Sequence, residues 1–140
     1  MILGTDLLPM AALYPGAEHF YVHEVACRCG CGFGRHPGDV NPHLVELLEA
    51  IRRETGHPLI PNSVCRCPMH NRAVGGVENS VHTLGEAADL RAIGGERKYG
   101  VVRAAFAHGA RGVGVYDNFT HVDVHDGSVK FRPSTWSGKG

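Results

Sequence analysis

The sequence predicts a single α+β domain with an antiparallel sheet and flanking helices. The strongest amphipathic helical pattern lies early, over residues 41–56, and the strand-like segments gather after residue 110. Between them there is none of the regular strand-helix-strand alternation that builds a parallel sheet. With 140 residues and aromatic side chains spread along the chain, there is enough polypeptide for one core. Neither an internal repeat nor a linker divides it, so the expectation is an N-terminal arm over residues 1–18 and one domain over 19–140.

Along the chain, the opening MILGTDLLPMAALYPG is apolar but lacks a basic leader and is broken by Asp6 and Pro9. It is too short to span a bilayer and reads as an extended arm with no cleaved signal. His19-Phe20-Tyr21-Val22 reads as a short strand or ordered segment, and residues 27–34, rich in glycine and cysteine, as a loop. Asn41-Pro42 supplies an N-cap and a proline at the first helical position. Leu44, Leu47, Leu48 and Ile51 follow at i, i+3, i+4 and i+7, and Gly56 closes the helix.

Leu59 to Val64 reads as a buried strand, and Pro68 to Ala73 as a short helix ended by Gly75-Gly76. Residues 86–90 form an apolar strand ending on an acid. A helix from about Lys98 carries Tyr99, Val102 and Phe106 on one face and stops at Gly109. Gly112 to Tyr116 and Phe119 to Val124 read as a hairpin joined by Asp117-Asn118, with Val129 to Phe131 as a third strand.

Charge excludes some functions. Fourteen basic and fourteen acidic side chains cancel, with no Lys/Arg block to grip nucleic acid or an anionic membrane. Recognition must therefore come from a site. The five cysteines, Cys27, Cys29, Cys31, Cys65 and Cys67, form two dense groups. Four of them could hold a second, structural zinc, two could form a disulfide, or all could be buried thiols. The spacing is not that of a CxxC pair, which puts the second metal behind the other readings.

The most informative segment is Ser80-Val81-His82-Thr83-Leu84-Gly85-Glu86-Ala87-Ala88-Asp89. His82 and Asp89 supply two groups that zinc accepts. In extended chain they would lie roughly 23 Å apart, so the reversal that Gly85 permits is part of the geometry. His121-Val122-Asp123 on a late strand offers His121 as a third ligand, with Asp123 two positions on and facing the same side. Three protein ligands leave a position for water, as catalytic zinc requires, and a nearby carboxylate could then move the proton.

These residues resemble a known family. SVHTLGEAAD looks like the SxHxxGxAxD signature of the M15 peptidases, and Gly114-Val115-Tyr116 through His121-Val122-Asp123 is similar to their second, HxD-bearing signature. Residues 62–71 resemble the family's SxYRxPxHN segment, with Cys65 in place of the usual aromatic residue. The resemblance runs from about His19 to Gly127. It implies the fold shared with the hedgehog signalling domain and zinc D-alanyl-D-alanine carboxypeptidases, with zinc on His82, Asp89 and His121. It also implies a substrate-steadying role for Arg66 and a peptidoglycan stem peptide as partner.

Many relatives place an acidic base three residues before the last ligand histidine, where this chain has Asn118. Asp117 and Asp123 are the alternatives, Asp123 being preferred because its strand fixes its facing; it could instead orient His121. Small relatives of this kind occur in phages and bacteria, which implies wall lysis or remodelling by a protein made in the cytoplasm. Each residue also has a plainer reading: His82 as a surface histidine, Asp89 as a cap, Arg66 as half of a surface ion pair, Asp117 as a turn former. Two other functions compete with the enzyme. One is a zinc-binding recognition module without catalysis; the other is a metal-stabilised structural or phage assembly protein. His23, His36, His43, His57, His70, His108 and His125 are expected to be exposed or bonded locally.

Overall fold

The computed structural model describes residues 8–139. Among the described residues the helices are α1 (Val22–Val25), α2 (Pro42–Thr55), α3 (Pro68–Ala73) and α4 (Gly95–Ala107). The strands are β1 (Pro61–Ser63), β2 (Ala87–Arg91), β3 (Gly112–Val115), β4 (Phe119–Asp123) and β5 (Ser134–Ser137). The order in the sheet is β1-β2-β4-β3-β5, antiparallel throughout except that β5 runs parallel to β3. The fold is the expected α+β domain, with a fifth strand that makes the sheet mixed.

Helix α2 forms where the cap signals place it. Asn41 accepts a hydrogen bond from the His43 N–H at 2.8 Å, and Gly56 ends the helix at φ +71°. Its leucine face is buried, with Leu44, Leu48 and Ile51 at 2% exposure or less. Burying each such side chain contributes about 1.5–3 kcal/mol. The same face carries a buried acid, Glu49. Its carboxylate accepts from the N–H groups of Glu18 and His19 and lies 2.6 Å from His19 Nδ1, tying the start of the domain to α2.

Several expectations are corrected. The start of the arm lies outside the described residues, but from Leu8 onward the chain is folded rather than extended. Residues 10–12 form a 3₁₀ turn, Met10, Tyr14 and Ala17 are buried, and the Tyr14 hydroxyl accepts from the Val40 N–H. Of the two readings of His19–Val22, the ordered segment holds and the strand does not: Tyr21 makes a single bridge to Pro9, and Val22 already begins α1.

Helix α4 turns Val101, Ala104 and Ala105 inward, because small alanines let it approach the sheet, while Tyr99 and Phe106 stay exposed. Val129–Phe131 forms no strand either. The N–H groups of Val129 and Lys130 both donate to His125 Nε2 instead of to a ladder, and the sheet resumes at Ser134. His125 is accordingly a buried structural histidine that donates from Nδ1 to Glu86; the other six of its group are exposed or half-buried. No helix among the described residues is long and apolar enough to cross a membrane.

Candidate metal centre and cleft

Gly85 does what the spacing requires. Ser80 caps a 3₁₀ turn over Val81–Leu84 by accepting from the His82 N–H, and Gly85 ends it at φ +69°. A Cβ at Gly85 would also meet the Asp39 carbonyl oxygen at 1.9 Å, so both conformation and space exclude a side chain. The turn returns the chain into β2, where Asp89 sits directly opposite His121 of β4. His82, Asp89 and His121 thereby converge, with ligand atoms within 4.8 Å of one another. The structure thus brings together the three residues that the sequence grouped as candidate ligands.

The nitrogen atoms are sorted by their other partners. His82 Nδ1 donates to the Val64 carbonyl at 2.8 Å, which leaves Nε2 with its lone pair toward Asp89 Oδ1, 3.2 Å away. That Nε2 is buried and makes no hydrogen bond among the described residues. His121 Nε2 donates to Asp123 Oδ2 at 2.7 Å, leaving Nδ1 3.1 Å from Asp89 Oδ1. Ligands about 2 Å from one ion lie about 3.3 Å apart in a tetrahedron, close to both separations. Two imidazoles, one of them carrying an orphaned buried nitrogen, and one carboxylate therefore fit a zinc ion. Burial pushes the Asp89 carboxyl up, but His121 and His82 outweigh it and hold it well below the usual carboxylate range.

Neither acid expected as a base lines the cleft. Asp123 is fully buried on the far side of the His121 ring from Asp89. Its oxygens accept from Arg132 Nε and Nη2, the latter at 2.7 Å, and from the His125 N–H. Desolvation raises its pKa, yet His121 and Arg132 prevail and keep it ionised. Its bond from His121 Nε2 is the contact through which a carboxylate can orient a ring. Asp117 is exposed in the β3–β4 turn and points no group into the cleft's lining.

Arg66 is where the motif puts it. Its N–H donates to the His82 carbonyl at 3.2 Å, so the residue and the ligand turn are stitched together in both directions by the Val64–His82 and Arg66–His82 bonds. The side chain lines a cleft of about 510 Å³ together with His82, Asp89, His121, Lys130 and Trp136. Its Nε is buried and makes no hydrogen bond among the described residues, and burial lowers the guanidinium's pKa against the pull of Asp89.

Arg132 and Trp136 escape the sequence reading. Trp136 lies 5.2 Å from the His121 ring centre, Arg132 lies over the Trp136 ring at 5.1 Å, and Trp136 Nε1 donates to the Tyr116 hydroxyl. The signal that could have found them is Gly112-Val113-Gly114. Gly112 pairs with Asp123 and Gly114 with His121. A Cβ at Gly112 would meet Asp123 Oδ2 at 2.3 Å and Arg132 Nε at 2.6 Å, and one at Gly114 would meet Trp136 Nε1 at 2.4 Å. Two glycines opposite the site residues leave room for large neighbours, but nothing in the sequence says which.

A family model described as Peptidase M15 matches residues 18–123. No curated protein matches the chain.

Proposed function

Because the chain belongs to the peptidase M15 family, we propose that it is a zinc-dependent peptidase cutting D-amino-acid-containing bonds of peptidoglycan stem peptides, as a D-alanyl-D-alanine carboxypeptidase or an endopeptidase. One observation carries this reading: His82 Nε2, Asp89 and His121 Nδ1 converge on the wall of a cleft that Arg66 also lines. Zinc held by these three residues would supply Lewis acidity and activate water as the nucleophile at neutral pH.

The chain's own residues prepare that chemistry. The Val64 carbonyl fixes the His82 tautomer, and Asp123, itself held by Arg132, fixes that of His121. Trp136 covers one side of the His121 ring. Arg66 offers a guanidinium fork to a carboxylate or to a developing oxyanion. The described lining also includes Lys130, with Asp89 as its sole carboxylate, while Arg132 is paired with Asp123; the charges of Arg66 and Lys130 suit a substrate ending in a free carboxylate.

That same lining favours a second reading. With Asp89 used as a ligand, no other acid lines the cleft to move a proton, as in a zinc-binding recognition module without catalysis. Mass spectrometry of defined stem peptides, incubated with zinc-loaded protein and with a chelator-treated control, separates the two. Chelator-sensitive loss of a terminal D-Ala supports the carboxypeptidase, and cleavage within the stem or cross-link the endopeptidase. Intact peptides despite bound zinc would leave the recognition module. His82→Ala should lose the zinc of this site and any cleavage together.

A further inference from the structure

We propose that Cys27, Cys29, Cys31 and Cys67 form a second metal site, a four-thiolate zinc site that fixes the turn carrying Arg66. The four sulfurs lie within 4.8 Å of one another. Thiolates 2.3 Å from one zinc sit about 3.8 Å apart in a tetrahedron. Cys27 Sγ is 3.4 Å from Cys29 Sγ, which is 3.7 Å from Cys67 Sγ, and none of the cysteines is bonded to another.

Packing does not explain this convergence. Cys29 and Cys31 are exposed, and Cys67 is half-buried. The fifth cysteine, Cys65, stands outside the group and is 1% exposed in the hydrophobic core, where a thiol behaves as a small apolar side chain. The backbone instead arranges the other four. Gly30 and Gly32, at φ +82° and +97°, let three cysteines within five residues turn inward, and the Cys27 N–H closes the loop on the Phe33 carbonyl at 2.8 Å. The Cys67 N–H donates to Cys27 Sγ and the His70 N–H to Cys67 Sγ, both at 3.4 Å, which suits sulfur carrying negative charge.

Cys67 caps α3 and directly follows Arg66, so a metal here would bind the 27–33 loop to the peptide that carries the cleft's arginine. This site shares no ligand with the His82 group, and its test does not depend on peptidase activity.

The test loads cobalt into the full-length His82→Ala protein, which lacks a ligand of the other site and keeps all five thiols. Bound cobalt with an intense near-ultraviolet thiolate-to-cobalt charge-transfer band is expected. Elemental analysis of the same variant purified without chelator should find one zinc per chain. The band should survive Cys65→Ala and vanish in Cys29→Ser/Cys67→Ser. Stripping the metal from His82→Ala protein should lower its Tm and speed amide exchange across residues 65–70. His82→Ala protein that purifies without zinc and gives no thiolate band when cobalt is added, or a mass deficit showing paired cysteines, would overturn the site. Unchanged exchange at 65–70 would overturn its hold on the Arg66 turn.

Discussion

His121 stands directly across the β2–β4 ladder from Asp89, its Nδ1 3.1 Å from Asp89 Oδ1, while the opposite ring nitrogen donates to Asp123 at 2.7 Å. One imidazole thus joins the ligand group to a buried carboxylate-guanidinium pair. The pair holds the ring; the ligand group uses it.

Asp123→Asn should therefore weaken metal binding at His82, Asp89 and His121 by about 10–100-fold, the usual effect of losing such an outer partner. It also strips Arg132, whose side chain is 8% exposed, of its charge partner. Breaking a buried pair costs about 3–5 kcal/mol. Asp117→Asn, in an exposed turn, should change neither property. Zinc titration and thermal melts of the two variants check both statements, and a normal zinc affinity in Asp123→Asn would remove it as the orienting group.

Arg66→Lys keeps the charge but loses the planar fork. Zinc content should be unchanged, because Arg66 is not a ligand. If the fork grips a terminal carboxylate, KM rises while kcat holds; if it serves the oxyanion, kcat falls. Steady-state kinetics on peptides with free and amidated C-termini distinguish the two.

Gly114→Ala places a Cβ 2.4 Å from Trp136 Nε1, so the indole must leave its place beside His121. The sequence has a single tryptophan, so its fluorescence reports this site alone. A shift of its emission toward that of exposed indole is expected, together with weaker metal binding. An unchanged spectrum would show that the strand yields instead of the ring.

Glu49 makes stability depend on pH. Desolvation raises its pKa, but the hydrogen bonds and charge at His19 with the Glu18 N–H prevail and lower it below the ordinary 4.5. A depressed carboxylate contributes stability that is present above its unfolded pKa and lost as pH falls through the folded one. Glu49→Gln should cost about 1.5–3 kcal/mol at neutral pH, the range for hydrogen bonds to charged groups. Denaturant melts down a pH series should show the gap to wild type narrowing below about pH 4.5. A gap constant with pH would mean that the charge contributes nothing.

The sequence by itself determined the elements whose causes are local. Asn41, Pro42 and Gly56 bound α2 because caps act on the nearest turn, and Gly85 permits the reversal between His82 and Asp89 because only glycine fits that φ beside the Asp39 carbonyl. The period of two along β4 put His121 and Asp123 on one side, and the motifs located Arg66.

Tertiary structure alone decided what those groups do, because hydrogen-bond partners distant in sequence assign each nitrogen and oxygen. Arg132 and His121 both hold the Asp123 carboxylate, the Val64 carbonyl occupies His82 Nδ1 and leaves Nε2 free, and Cys65 parts from the other four cysteines by entering the core. Strand β5 likewise lies where the long-range pairing with β3 is satisfied, after His125 has taken the N–H groups of the segment that looked like a strand.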